Sequence, residues 1–215
     1  ISNIATSNIT SNSITVTVTA SDNETGLATS GTYKYYLNNG SPVTSTSNSY
    51  QFTGLTAGTN YTITVEVFDK AGNSETATSN GKTNAVPGVP TVTFKSKTTN
   101  SITVQAKATD ADGENLTYTL YTSTSSSGNY TKAATATGSS GSIVSLTASG
   151  LSQYTTYYYY VTVTDQISNN QSAKANQRTY CPGTGHTVSY CSGTSTTNSK
   201  CTNCNGQGYI YSVCS

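Results

Sequence analysis

Tryptophan and methionine are missing from this 215-residue chain, histidine occurs once, and only 9% of the residues carry a charge. Each scarcity removes a class of activity. A net charge of +1 at pH 7 offers no field that would gather nucleic acid or an anionic lipid surface, so neither partner is expected. One histidine, His186, the lack of a G-x-S-x-G or phosphate-cradling glycine loop, and acids that fall mostly at turns leave little for acid–base or nucleophilic catalysis. The segment is therefore not expected to be an enzyme. No apolar run approaches the roughly 20 residues that span a bilayer, and no basic stretch followed by an apolar one opens the chain, so no membrane insertion is expected here. The chain starts at Ile1 and holds no methionine, so translation is expected to have begun upstream, with room for a leader, an anchor or further domains cut away.

What is present is threonine, serine, asparagine and 17 tyrosines, a mixture that suits pleated, half-buried strands better than long helices. A repeat organises it. Asn-Ser-Ile-Thr-Val occurs at Asn12–Val16 and again at Asn100–Val104, 88 residues later. A Leu and a Tyr six residues apart recur as Leu55 with Tyr61 and Leu151 with Tyr157, 96 residues later. The spacings agree if the second copy carries about eight additional residues, placed in the Ser-, Thr- and Gly-rich stretch Ser123 to Gly141. Two homologous modules follow, over residues 1–84 and 91–179, joined by a short, stiff linker at 85–90 with two prolines and followed by a cysteine-rich tail at 180–215.

Within each copy the hydrophobic period is two. Tyr61, Ile63, Val65 and Val67 fall on one face of their run, Tyr157, Tyr159, Val161 and Val163 on one face of the equivalent run, and Leu116, Tyr118 and Leu120 on one face of an earlier run. Short runs separated by Asn39-Gly40, Ala71-Gly72-Asn73 and Asp112-Gly113 predict an all-β fold of two tandem antiparallel β-sandwiches. The Leu-x5-Tyr pattern, the run Y-x-h-x-V-x-h-x-D after it, and the A-G-N or S-N-N turn that follows resemble the E-to-F corner and F strand of fibronectin type III and related bacterial immunoglobulin-like modules, over about residues 5–179. The resemblance implies a tyrosine corner at Tyr61 and Tyr157, with each hydroxyl bonded to upstream backbone. It also implies spacer and binding modules rather than enzymes. Without the family's tryptophan, Ile14 and Val16, with Ile102 and Val104, must fill that volume. The modules are expected to stand end to end as a rod.

The tail repeats C-x-G-x-G-x5-C from Cys181 and from Cys204, and Cys201 completes a C-x-x-C ahead of the second copy. It resembles the zinc-binding repeats of DnaJ-type co-chaperones. Cys181, Cys191, Cys201 and Cys204 are the expected zinc ligands, with His186 and Cys214 as alternates. The same cysteines suit a disulfide staple in an oxidising compartment. Nothing around Cys201 and Cys204 suggests the strand and helix of a redox motif.

Three further groups stand out. Asp110, Asp112 and Glu114 alternate oxygen donors around Gly113, which suits a calcium ion and equally suits a polar turn whose acids bond their own backbone. Tyr121, Tyr158 and Tyr160 are expected side by side on an outer face, where they would stack on sugar rings, anchor a protein, or simply pair across strands. Glu66 is the acid that could promote a Lys–Asn isopeptide crosslink, but its parity points it to solvent. The expected role is a rigid spacer and binding module in a bacterial cell-surface or phage tail protein, facing a host or cell-surface protein or a glycan. Alternatives are a carbohydrate-binding accessory region of a secreted glycoside hydrolase, or a self-associating filament subunit. An extracellular, cell-surface or virion location follows from each.

Overall fold

A computed structural model describes residues 1–180. The zinc or disulfide expectation for Cys181, Cys191, Cys201, Cys204, His186 and Cys214 lies outside the described residues.

The first copy contains β1 (Asn3–Ser7), β2 (Ser13–Thr19), β3 (Tyr33–Leu37), β4 (Val43–Ser45), β5 (Ser49–Thr53), β6 (Asn60–Phe68) and β7 (Ser74–Lys82). β1, β2 and β5 form one sheet in the order β1-β2-β5, and the other runs β4-β3-β6-β7, with every pairing antiparallel. Strict alternation along β6 is what closes the two sheets on each other. Ile63 and Val65 are fully buried, while Thr62, Thr64 and Glu66 lie on the outer face. Each such burial contributes about 2 kcal/mol. On that outer face Glu66 accepts hydrogen bonds from Tyr36 Oη at 3.0 Å and Ser74 Oγ at 2.9 Å and lies 3.6 Å from Lys34 Nζ.

The second copy contains β8 (Thr91–Lys97), β9 (Ile102–Lys107), β10 (Asn115–Ser123), β11 (Thr131–Ser139), β12 (Val144–Ala148), β13 (Thr156–Thr164), β14 (Asn169–Gln171) and β15 (Ala175–Arg178). Its sheets repeat the order: β8-β9-β12 answers β1-β2-β5, and β11-β10-β13 answers β4-β3-β6. The last strand differs. Where β7 runs unbroken beside β6, the second copy divides the job between β14 and β15, both paired to β13. At the break Ser172 Oγ accepts the Val161 N–H at 3.0 Å, so a side chain takes over one rung of the ladder. The additional residues enlarge the β10–β11 hairpin, where β11 has nine residues against three in β4.

Each copy has its own core. In the first, Ile14, Val16 and Val18 share the core with a string of rings, Tyr33 and Tyr35 from the opposite sheet and Tyr50 and Phe52 from the neighbouring strand, whose adjacent centroids lie 4.9 to 6.1 Å apart. In the second, Ile102, Val104, Leu116, Leu120 and Leu146 surround Tyr118, with alanines at 106, 108 and 148 filling the remainder. The four residues expected to replace tryptophan are at most 1% exposed. The two corners also form. Tyr61 Oη accepts the Thr56 N–H at 2.8 Å and Tyr157 Oη accepts the Ser152 N–H at 2.9 Å. At the turn expected around Asn39-Gly40, Asn38 and Asn39 take positive φ (48° and 59°) between β3 and β4, and Gly40 N–H closes the turn on Leu37 O at 2.9 Å. Asparagine tolerates this left-handed backbone better than other non-glycine residues, and two such positions in a row give the primed turn that matches strand twist.

Candidate functional site at the junction of the two modules

The chain leaves the first sandwich under tight control. Thr83, fully buried, donates through Oγ1 to Thr56 O at 2.6 Å and accepts the Thr59 N–H at 2.9 Å, which pins the exit from β7 to the loop before β6. Thr179 makes the same pair of bonds, to Ser152 O and from Thr155 N–H, at the end of the second copy.

The next residue reaches across. Asn84 Nδ2 donates to Asp165 Oδ2 at 2.7 Å and to Ser168 Oγ at 3.2 Å, and both Asn84 and Asp165 are buried. Asp165 stands just past β13, where its Oδ1 also accepts the N–H groups of Ile167 and Ser168. Burial pushes the Asp165 carboxyl up, but the bonds from Asn84, Ser168 and Ile167 outweigh it and hold the group below its ordinary value. One residue further, the Ala85 N–H donates to Asp112 Oδ2 at 2.6 Å, and Lys82 Nζ pairs with Asp112 Oδ1 at 2.5 Å. The Lys82 ammonium, followed by the Ala85 amide, lowers the Asp112 carboxyl, and Asp112 in turn raises Lys82. Gly88 N–H then bonds Thr109 O at 2.9 Å and Asn170 Nδ2 bonds Pro87 O at 3.3 Å. The 85–90 stretch is thus seated against the second module, with Ala85, Pro87 and Pro90 buried.

The acidic turn expected from sequence is part of this junction. Asp110, Asp112 and Glu114 each offer a carboxylate oxygen within 4.8 Å of the others. Glu114 is raised above its ordinary value, first by burial and then by the like charges of Asp110, Asp112 and Asp165. At the equivalent turn of the first copy, Asp22 is satisfied locally by Thr25 Oγ1, Thr25 N–H and Glu24 N–H, and of these partners the Thr25 hydroxyl lowers its carboxyl most.

The tyrosines lie elsewhere, on the outer face of the β10–β13 pair. Tyr121 and Tyr160 are direct cross-strand partners with stacked rings 5.1 Å apart. Tyr130 packs on Tyr160 at 5.0 Å, and Lys174 Nζ lies 4.6 Å from the Tyr130 ring. Tyr158, two residues before Tyr160 and opposite Ser123, lies on the same side of the strand but is outside that stack. Sequence reasoning passed over Tyr130, because it sits in the enlarged hairpin loop where strand parity does not reach. It also passed over Lys82, Asn84 and Asp165 as a group. The only signal for them was the repeat itself, which places Asp165 where the first copy has Asp69.

Two enzymes contain similar stretches. The chain is 32% identical over 176 residues to Exoglucanase B of Cellulomonas fimi, covering 77% of this chain and 15% of that protein. It is 29% identical over 181 residues to Chitinase A1 of Niallia circulans, covering 80% of this chain and 24% of that one. The chain therefore spans no more than about a quarter of the length of either. Among solved structures, the FN1-FN3 domains of chicken CNTN1 overlay on 83% of this chain, and 66% of theirs, with a TM-score of 0.46 and 17% identity. Residues 1–81, which fold as the first β-sandwich, match the family model of the fibronectin type III domain.

Proposed function

We propose that this chain is a non-catalytic accessory region of an extracellular polysaccharide-degrading enzyme, in which two β-sandwiches hold neighbouring parts at a set spacing. The buried Asn84–Asp165 bond carries the reading, because a linker tied down by the residue that leads into it cannot act as a free tether. Similarity to stretches of an exoglucanase and a chitinase supports the enzymatic setting. The tyrosine cluster favours spacing over glycan capture. Stacking on a sugar needs an open ring face, and Tyr160 already has Tyr121 and Tyr130 packed against it.

Small-angle scattering of the whole chain tests the spacer. A single narrow distance distribution is expected, and Asn84→Ala combined with Asp112→Ala should broaden it. An unchanged distribution in that double variant removes the junction from the argument. Pull-down with insoluble cellulose and chitin tests the competing role, and the chain is expected to stay in solution. Retention that disappears in Tyr121→Ala plus Tyr160→Ala would replace the spacer with a binding module. Light scattering separates both from the filament expectation, since a spacer remains monomeric at concentrations where a filament subunit grows.

A further inference from the structure

The acidic turn at the junction contains one oxygen that the fold leaves alone. Asp110 is 8% exposed and its Oδ1 accepts the Asp112 N–H at 2.8 Å. Its Oδ2 is buried and receives no hydrogen bond, the only side-chain atom in that position among the described residues. A buried carboxylate oxygen without a partner destabilises a fold by about 1–3 kcal/mol or more, so its retention calls for a counter-charge.

The surroundings define what kind of counter-charge. Asp110, Asp112 and Glu114 place carboxylate oxygens within 4.8 Å of one another. That limit is about twice the ~2.4 Å of a calcium–oxygen bond, so all three can reach one calcium ion, whereas magnesium at ~2.0–2.1 Å would draw them closer in a stricter octahedron. Donors that are all oxygen select a hard cation over zinc or copper. Lys82 is the one basic side chain that forms an ion pair with these acids among the described residues, and three carboxylates against one ammonium leave an imbalance that suits a divalent ion.

We propose that Asp110, Asp112 and Glu114 bind one calcium ion at the junction, and that the ion fastens the linker to the second module. The coupling runs through Asp112. Its Oδ2 holds the Ala85 N–H, while its Oδ1 passes from Lys82 to the ion. Lys82 has somewhere to go, because its side chain is 41% exposed. Water completes the six to eight oxygen ligands that calcium takes. The turn around Asp22 serves as an internal control, since its carboxylate is bonded within its own turn and holds no buried oxygen without a partner. The proposal is independent of what the rest of the protein acts on.

The test is calorimetric titration of calcium chloride into the full chain after chelator treatment and dialysis at neutral pH. One site is expected, with affinity in the roughly 0.1–1 mM range of extracellular calcium modules. Asp110→Asn and Glu114→Gln should each weaken it by about tenfold or more as ligand charge is lost, Asp22→Asn should leave it unchanged, and Lys82→Ala should bind as tightly or more so. Glu114→Gln serves if Asp110→Asn fails to fold, because Glu114 is only partly buried. Hydrogen exchange at the Ala85 amide should slow when calcium is added to the parent chain. No saturable binding by about 10 mM, an order above that range, overturns the proposal. So does a site that survives both ligand substitutions.

Discussion

Asp69 and Asp165 follow equivalent strands in the two modules, 96 residues apart, and each accepts a bond from an asparagine amide. In the first module that amide belongs to Asn73, four residues on, at 2.7 Å. In the second it belongs to Asn84, 81 residues earlier and on the far side of the linker, also at 2.7 Å. The equivalent of Asn73 in the second copy, Asn169, is exposed and pairs through β14 instead. One carboxylate chemistry therefore closes a local turn in one copy and a joint between modules in the other. The Asp22 and Asp110 pair repeats the lesson: the first is bonded by its own turn, and the second is covered and left with an oxygen to spare. A repeat can keep its strands and still change the task of its loops, because loop polar groups bond whatever the chain brings to them.

The comparison can be broken most forcefully in the cores. Ile14→Ala and Ile102→Ala alter the same place in each copy of Asn-Ser-Ile-Thr-Val, and both isoleucines are buried to within 1%. Each should cost about 4 kcal/mol, as cavity-forming truncations do. Scanning calorimetry should show each variant lowering only its own module's transition. Equal loss from both transitions would mean one cooperative unit instead of two.

Asp165→Ala comes next. It takes one acceptor from the buried Asn84 amide and leaves two backbone N–H groups without theirs, and should destabilise the second module by about 3 kcal/mol in urea unfolding. Asp69→Ala, at the exposed local turn, should do much less. The pH dependence follows from the lowered Asp165 carboxyl. A group held below its ordinary value of 3.8 contributes stability above that value and loses it as pH falls through the native one. The second module's melting temperature should therefore drop on acidification below pH 3.8, and less steeply in Asp165→Ala.

The smallest effect is expected at Glu114. Its carboxyl is raised in the fold, so the protonated form is favoured: that stability is complete below the ordinary value of 4.5 and disappears as pH rises through the native one. Glu114→Gln imitates the protonated state. In calcium-free buffer it should raise the second module's melting temperature slightly at neutral pH and leave it unchanged below pH 4.5. With calcium present the sign should reverse, which links this measurement to the proposed ion.

Much of the scaffold was legible because the information is local. Alternation along Tyr61 to Val67 and along Leu116 to Leu120 identifies inner faces without knowledge of what lies opposite, since parity is a property of the strand alone. The Leu-to-Tyr spacing likewise places each corner hydroxyl near the backbone five residues upstream. The turn at Asn39-Gly40 was legible in its location, while which residues adopt the left-handed backbone, Asn38 and Asn39, was not. The Tyr121–Tyr160 neighbours follow from register, whereas Tyr130 joins them only because the enlarged hairpin folds back.

By itself, then, the amino-acid order determined two copies of one strand plan, their inward side chains and their corner tyrosines, all of which depend on periods and spacings of a few residues. Only the tertiary structure decided that Asn84 would meet Asp165, that Ala85 would meet Asp112, and that Asp110 would be shut in. Those meetings depend on the direction in which the chain leaves Thr83. That direction is set by hydrogen bonds from loops well away in sequence, so no window along the chain contains it.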